Sequence, residues 1–283
     1  KFPFFTFETE DGLRPPNAIL PENYNQKTSL KLNTSRPLWP GAVLELNWST
    51  DFAYAKTQTV ETDALGNPSF TNVIANESFN RSYLSIPSVL WVDVFNNNIE
   101  HVIKLYEQKK NQRIANGLDT TNITPQENQL LLNDLTESFH DGLQAFSFSS
   151  GKVGKFLPAI NWAIKWQGIE RWELWKGLVK SANIEHRYTS IYTENALIND
   201  NGRQTQSQQI QIGFQPLFGL TMSFDEKKLN GILTATLKYS TTTGYQLNSS
   251  NRSTIAKNST DEIQAQASYT MKGFEWDLLG LKL

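Results

Sequence analysis

Runs of strict alternation between apolar and polar residues constrain the fold of this chain most. Residues 42–56 carry apolar side chains at even positions and polar ones at odd positions. The two sets are Leu44, Leu46, Trp48, Phe52 and Tyr54 against Glu45, Asn47, Ser49 and Asp51. A period of two is the geometry of a β-strand whose faces meet different environments, in a soluble β-sandwich as in a membrane. The run exceeds both the roughly 9–11 residues of a tilted transmembrane strand and the usual ~5–6 of a globular strand. Its length therefore favours a membrane-spanning sheet.

The pattern recurs on both sides of a tryptophan-rich corner at residues 168–175. Before the corner, Ile160, Trp162, Ile164 and Trp166 alternate with polar residues, and after it residues 182–192 do the same. Residues 210–224 keep even parity straight through Pro216. This predicts one long strand with a bend or bulge, because proline is tolerated only at sheet edges and bulges. Residues 233–239 and 263–271 predict two further strands.

Turn residues divide these runs. Residues 199–202, Asn-Asp-Asn-Gly, predict a tight hairpin. Residues 36–41 fit either a bend within one strand or a hairpin, and both alternatives stay open. Residues 248–261 are rich in Ser, Asn and Thr, which predicts a long polar loop. Residues 70–86 predict a strand with less regular alternation.

A different periodicity interrupts the strands at residues 93–150. Ile99, Val102, Ile103 and Tyr106 have helical spacing, with basic residues between and after them. Residues 124–127, Thr-Pro-Gln-Glu, form a capping box with proline at the first helical position. Charged amphipathic helices cannot face lipid inside the hydrocarbon layer. In a barrel, this helical insertion would lie in an end loop or in the lumen.

The chain is thus predicted to be all-β with a helical insertion, an antiparallel transmembrane β-barrel segment that forms part of a very large barrel. Residues 1–92 are assigned to barrel strands behind a proline-rich first segment, 93–150 to the helical insertion, and 151–283 to further barrel strands. The alternating start of a run at residues 279–283 predicts that the strands continue beyond the C-terminus. Six to eight spanning strands are expected.

Composition excludes several classes of function. A formal net charge of −2 and a pI near 6.0 give no reason to expect a nucleic-acid partner. No stretch approaches the roughly 20 consecutive apolar residues of a transmembrane helix. A mean hydropathy of −0.45 is compatible with a β-barrel, whose strands alternate lipid-facing and polar residues. The absence of cysteine excludes disulfides and thiolate metal sites.

Catalytic motifs are not found in the sequence. The three histidines have no ligand spacing, and there is no nucleophile elbow, phosphate loop or dinucleotide fingerprint. Glu170 and Glu173 beside Trp172 and Trp175 resemble the paired carboxylates of a sugar hydrolase, but a solvated turn beside interfacial tryptophans explains them better. The chain is predicted not to be an enzyme and to need no cofactor or metal.

Aromatic residues make up 12% of the chain and cluster near predicted strand ends. Tryptophan and tyrosine suit a bilayer interface because one end of each ring system is apolar and the other is polar. The predicted membrane-interface aromatics are Trp48, Tyr54, Trp162, Trp166, Trp172, Trp175, Tyr188 and Tyr192.

Several motifs, in this order along the chain, resemble one family of outer-membrane proteins. They comprise Gly12-Leu13-Arg14-x-Pro16-Asn17, Ser35-Arg36-Pro37-Leu38-Trp39, Leu65-Gly66-Asn67-Pro68, Phe156-Leu157-Pro158 leading into Asn161-Trp162, Trp166-x-Gly168-Ile169-Glu170, His186-Arg187-Tyr188-x-Ser190-x-Tyr192 and Pro216-Leu217-Phe218-Gly219-Leu220. This order and spacing are similar to the C-terminal part of the SprA/Sov family, the outer-membrane translocon of the type IX secretion system, which is associated with gliding motility. Ala159-Ile160, inserted before Asn161, departs from the family pattern.

The resemblance implies a wall segment of a protein-conducting pore in the outer membrane of a Gram-negative bacterium. The implied partners are secreted cargo proteins, other secretion-system subunits that close or gate the pore, and outer-membrane lipid. Two alternatives remain. Another outer-membrane barrel, such as a nutrient transporter or porin, predicts the same strands. A soluble β-rich carbohydrate-binding module would use Trp162, Trp166, Trp172 and Trp175 as a binding platform.

Overall fold

Eight strands form one antiparallel sheet in the computed structural model of the protein. The structure describes residues 22–62, 68–85, 99–119, 121–144, 159–173, 175–199, 202–249, 253–271, 277–278 and 281–282. The strands are β1 (Glu22–Trp39), β2 (Ala42–Thr62), β3 (Pro68–Arg81), β4 (Asn161–Gln167), β5 (Val179–Asn199), β6 (Gly202–Phe224), β7 (Gly231–Asn248) and β8 (Thr254–Met271). Helices α1 (Ile99–Ala115) and α2 (Pro125–Gly142) lie between β3 and β4, and α3 (Glu226–Leu229) joins β6 to β7. The remaining pair is β9 (Asp277–Leu278) with β10 (Leu281–Lys282). The predicted antiparallel, largely β architecture is confirmed.

The sheet has seven lateral positions because β3 and β4 share one of them. β3 pairs with the second half of β2 and β4 with its first half, and both pair with β5 on the other side. On β2, Thr50 is opposite Arg81, the last residue of β3, and Asn47 is opposite Asn161, the first residue of β4. One strand position is therefore interrupted near its middle, and the chain leaves the sheet there to form the helices.

The register places each side chain on one of two faces. The apolar face carries Leu44, Trp162, Ile184, Leu220 and Leu237 together with their alternate neighbours. The polar face carries mainly Ser, Thr, Asn and Gln, with Ile74 and Ile191 as exposed apolar exceptions. The parity predicted for each strand is confirmed, and it persists across the register shift at the β6 bulge.

The predicted turn at 199–202 is confirmed, and the open alternative at 36–41 is resolved. Residues 36–41 form a hairpin, since β1 and β2 are joined by Pro40 and Gly41, and Gly41 has a φ of +84°. A Cβ at Gly41 would lie 2.0 Å from the carbonyl oxygen of Gln167, so glycine is required there. Asn199 pairs with Gly202 as predicted. Residues 210–224 lie in one strand, β6, whose register shifts between Phe214 and Phe218, as proline in that run predicted.

Two strand boundaries were predicted wrongly. The expected polar loop at 248–261 is wrong in its second part, because β8 begins at Thr254. Both faces of this part of β8 are polar, so the sequence shows no alternation to mark it. The strand expected at 70–86 ends earlier, at Arg81. Residues 1–21 and most of 272–283 lie outside the described residues.

No helix among the described residues is long and apolar enough to cross a membrane.

Candidate functional site: an interrupted strand beside an open apolar surface

The helices leave and rejoin the sheet at almost the same point, which we call the neck (residues 82–85 and 159–160). The backbone N–H of Ser82 donates to the carbonyl oxygen of Ser49 at 2.8 Å, which continues the β2 ladder for one residue. Ala159 N–H then donates to the carbonyl oxygen of Ser82 at 2.9 Å, and Ser82 Oγ donates back to that of Ala159 at 2.6 Å. The insertion is therefore a self-contained unit attached through two adjacent chain segments.

Ser190 and Asn161 hold the neck against β5. Ser190 Oγ accepts the N–H of Tyr83 at 3.0 Å and donates to the carbonyl oxygen of the same residue. The Asn161 side chain accepts the N–H of Ser190 at 3.0 Å and donates to its carbonyl oxygen at 3.1 Å. Tyr188 Oη accepts the N–H of Ser85 at 3.0 Å. These bonds satisfy backbone groups that the interruption of the strand would otherwise leave unpaired.

His186 forms hydrogen bonds on both sides of β5, next to the neck. Its Nε2 accepts the indole N–H of Trp162 at 3.1 Å, and its Nδ1–H donates to the carbonyl oxygen of Leu217 in the β6 bulge at 2.7 Å. His186 therefore joins Trp162 of β4 to the bulge of β6. The motif His186-x-Tyr188-x-Ser190-x-Tyr192 that carries the family resemblance therefore lies, together with Asn161 and Trp162, around the neck.

The helices pack on the apolar face and cover one half of it. Val102, Phe139 and Leu143 form one buried cluster with side chains of the sheet. The sheet members define the covered zone: Phe52, Phe79, Tyr192, Ile210, Ile212, Tyr245, Leu247 and Ile255. A Cβ at Gly142 would lie 2.9 Å from Val102, so glycine permits the close approach of α1 and α2.

A buried polar contact joins the end of β3 to α2. Arg81, which is 2% exposed, donates from Nη2 to His140 Nε2 at 2.6 Å. A guanidinium has no acceptor, so His140 Nε2 accepts and its Nδ1–H donates to Asp141 at 2.8 Å. The Tyr83 ring stacks on Tyr192 at 5.8 Å between centroids. Sequence inspection did not identify Arg81, Tyr83 or His140 as functional, since contacts of this kind depend on residues far apart in the chain.

Ion pairs join α1 to α2, and a capping box begins α2. Asp134 binds Arg113, and this hydrogen bond raises the pKa of the arginine. Glu137 lies 3.0 Å from Lys109. The predicted capping box is confirmed, since Thr124 Oγ1 accepts the N–H of Glu127 and the Glu127 carboxylate accepts the N–H of Thr124. These bonds from Thr124 lower the pKa of Glu127.

This lowered pKa gives the first testable prediction. Because the folded-state pKa of Glu127 lies below its unfolded value, its stabilising effect is present above that value, near 4.5, and is lost as pH falls through the folded pKa. We expect the first turn of α2 to lose hydrogen-exchange protection as the pH falls below 4.5 and through the lowered pKa of Glu127. Glu127→Gln should remove this pH dependence. An unchanged pH profile in Glu127→Gln would contradict the assignment.

The other half of the apolar face has no protein cover among the described residues and forms the open zone. Its exposed members are Leu30, Leu32, Phe218, Leu237, Ile263, Tyr269 and Met271. On β8 the open zone extends from Ile263 to Met271, and Ile263 is 74% exposed. Soluble monomers rarely expose contiguous apolar surface of this kind, which marks contact with a membrane or a partner.

The predicted interface aromatics fall into three groups. Trp166, Trp172 and Trp175 lie at the corner end of the open zone, where Trp166 contacts Trp39 edge-on at 5.3 Å and Trp172 at 5.1 Å. Trp48 and Trp162 are half-buried beside the boundary with the covered zone, and Tyr54 lies beyond that boundary, edge-on to Tyr24.

Tyr188 and Tyr192 do not fit the predicted role. Tyr188 is 0% exposed and Tyr192 is 2% exposed, because the neck and the helices cover them. Neither ring can contact lipid in this arrangement, so we remove both from the predicted set. Both tyrosines have the even parity of the other predicted interface aromatics that lie within strands, and so they lie on the same face of the sheet. Parity shows which face a side chain is on, but it does not show what covers that face.

Comparison with protein-family models and with curated proteins finds no match to this chain. The resemblance to the SprA/Sov family therefore stays a prediction. Among the described residues, no group of three or more His, Asp or Glu side chains could hold a metal ion. Glu170 accepts the N–H of Ala182 at 3.3 Å and Glu173 pairs with Lys176 at 3.0 Å, so each carboxylate has a local structural contact.

Proposed function

We propose that this chain forms part of the wall of a protein-conducting β-barrel pore in the outer membrane of a Gram-negative bacterium. The main support is the contrast between the two faces of the sheet. One face exposes an apolar zone bounded by tryptophans, and the other is lined mainly by uncharged polar residues. Transmembrane barrels present such an apolar band to lipid and such a polar face to the lumen.

The dimensions of the open zone support this proposal. Nine residues of β8, from Ile263 to Met271, extend over roughly 30 Å at about 3.3 Å per residue. At the tilt of roughly 35–45° found in membrane barrels, this length spans a little less than the ~25 Å height of their apolar band. β6 has 23 residues, so more than half of it would extend beyond the membrane.

The slope of the boundary between the zones agrees with a tilted barrel. On β1, the side chains of this face become apolar at Leu30. The residues level with Leu30 on the successive strands are Thr50, Arg81, Tyr192, Ile210, Tyr245 and, on β8, Lys257. On β8 the change comes at Ile263, six residues further along. Six residues over six strand steps, with spacings of about 3.3 and 4.8 Å, correspond to a tilt of roughly 35°.

The covered zone lies beyond this boundary, outside the proposed hydrocarbon layer. The helices therefore rest on the outward-facing side of the barrel extension, where their charged surfaces meet water. This differs from the lumen or end-loop position that the sequence suggested. Together with the family resemblance, the arrangement favours a pore whose cargo is secreted protein and whose gating depends on other secretion-system subunits.

The carbohydrate-binding alternative requires a flat, open platform of indole rings. Trp162 stacks on Tyr188 at 4.1 Å, and Trp166 meets both Trp39 and Trp172 edge-on. A sugar ring would have to displace these contacts to stack on Trp162 or Trp166. A porin or nutrient transporter shares the proposed membrane surface, and only the family resemblance favours the translocon over it.

These 283 residues contain no cysteine, so a single introduced cysteine is the only labelling site within them. We would introduce Leu237→Cys and, as a matched control, Thr236→Cys on the opposite face of β7, into the full-length protein in its native membrane. A spin label at position 237 should collide with oxygen from the bilayer, and one at position 236 with a water-soluble nickel complex. Equal access of the nickel complex to both labels would contradict the membrane assignment.

A separate experiment tests whether the proposed pore exports proteins. Depleting the protein in its host should leave cargo proteins in the periplasm. If the extracellular proteins are unchanged and uptake of a small solute is lost, the nutrient transporter is favoured instead.

A further inference from the structure

The charged side chains on the polar face of β4–β8 gather in two adjacent rows. They are Lys165, Glu185, Arg187, Lys238 and Glu262, and the other described positions of this face are uncharged away from the strand ends. Lys165 faces Glu185, whose row continues through Gly219 to Lys238. On this part of the polar face, such a narrow transverse belt indicates a localised role, since charges needed only for solubility would be spread out.

A bulge in β6 creates a cavity at this belt. Between Glu185 and Tyr188, two residues of β5 face four residues of β6, so Gln215 and Pro216 leave the regular ladder. The resulting cavity has a volume of about 330 Å³ and is lined by Glu185, Arg187, Gln215, Pro216, Lys238, Ser240, Thr242, Thr260 and Glu262. A Cβ at Gly219 would lie 2.9 Å from Pro216, so glycine allows the proline to sit at the cavity.

Two of the four charged side chains around the cavity, Lys238 and Glu262, make no ion pair within the described residues, and the pair formed by Arg187 and Glu185 is long. Arg187 Nε is buried and makes no hydrogen bond there. The nearest carboxylate to the Arg187 guanidinium is Glu185 at 3.7 Å, which is longer than a hydrogen bond. No ion pair joins Lys238 or Glu262 to another described side chain. By contrast, Lys165 is paired with Glu45 at 3.0 Å. A buried N–H without an acceptor is costly unless a ligand supplies one.

We infer that this cavity binds a carboxylate carried by a polypeptide segment lying along the polar face. Arg187 and Lys238 supply two cationic donors from strands on either side of the bulge. Gln215 donates one amide N–H to Thr242 Oγ1 at 2.9 Å, and its second amide N–H and the Thr242 hydroxyl are neutral donors. Glu185 and Glu262 in the same lining disfavour a second negative charge and suit a neighbouring basic group. The side chain of an acidic residue and a chain terminus share this chemistry. The inference concerns the polar face and holds whether or not the apolar face lies in lipid.

The test uses the purified full-length protein in detergent, and the probe is the dansyl-labelled peptide amide Ala-Glu-Ala-Lys, which carries one carboxylate beside one basic group. Fluorescence anisotropy should show binding that weakens at higher ionic strength. Arg187→Gln and Lys238→Gln should each weaken it, and together by at least about tenfold. Lys31→Gln, on the polar face of β1 outside the belt, is the matched control and should leave the affinity unchanged.

Other outcomes would overturn the inference. No binding by the wild-type protein, or equal weakening by Lys31→Gln, would show that no localised site exists. If the matched dansyl-labelled peptide amide Ala-Gln-Ala-Lys bound as tightly as Ala-Glu-Ala-Lys, a carboxylate site would be excluded. Tryptophan emission checks that each variant is folded, and the single variants serve if the double variant is not. Because detergent replaces the bilayer, the result does not depend on the proposed membrane function.

Discussion

Leu237→Arg is expected to prevent stable assembly of the protein in the outer membrane, whereas Thr236→Arg is expected to be tolerated. Leu237 lies in the open zone, is 45% exposed and is opposite Leu220 and Ala265. Arginine near the bilayer midplane on the lipid face of a barrel costs about 2–4 kcal/mol. Thr236 is the next residue on the same strand and points to the polar face, where a charge remains hydrated.

The experiment compares both variants by recovery in the outer-membrane fraction and by denaturant-dependent unfolding of the protein in lipid vesicles. The neighbouring pair controls for strand propensity, since arginine replaces a residue of β7 in both. If the sheet were in water, both changes would fall within about 0.5 kcal/mol of wild type, as surface substitutions usually do. Equal recovery of the two variants would therefore exclude lipid contact at Leu237.

The sequence predicted those parts of the fold that depend on local pattern. The period of two located β2, β5, β6 and β7, and the capping box located the start of α2 at Pro125. These features arise from residues close together in the chain, so spacing alone reveals them. The predicted position of Pro216 at a bulge follows from its missing N–H in the same way.

Contacts between distant segments were beyond such patterns. No local pattern indicates that β3 and β4 share one strand position, since 79 residues separate Arg81 from Asn161 in the chain and the neck bonds join them only in the fold. One signal was present: Glu194 and Gln208 interrupt the apolar parity of β5 and β6 on the half that the helices cover or border. Polar residues at such positions are incompatible with lipid and could have marked the boundary between the zones.

The mistaken loop at 248–261 has a physical cause that supports the same boundary. In the first half of β8, Lys257, Ser259 and Asp261 lie on one face, and Asn258 and Thr260 lie on the other. Apart from Ile255, which packs in the covered zone, neither face is apolar, as expected for the water side of the proposed boundary. Alternation is a signature of a strand between two different environments, so it disappears where both faces meet water.

Phe139→Ala is expected to release the helices from the sheet while the sheet itself stays intact. Phe139 is 0% exposed and packs in the cluster that joins α2 to Tyr192 and Ile210. Truncating a buried phenylalanine costs about 3–5 kcal/mol. Because the helices lie on one face of the sheet and make no strand pairs, we expect this cost to fall on their docking rather than on the strand pairing.

Leu130→Ala provides the matched control, since Leu130 lies on the same helix and is 43% exposed. Hydrogen exchange should show loss of protection in α2 for Phe139→Ala and wild-type protection for Leu130→Ala, with β5 and β6 protected in both. Limited proteolysis between α1 and α2 should accelerate only in Phe139→Ala. Simultaneous loss of protection in β5 and β6 would show that the helices are part of the sheet's own core, and that the covered zone depends on them for its stability.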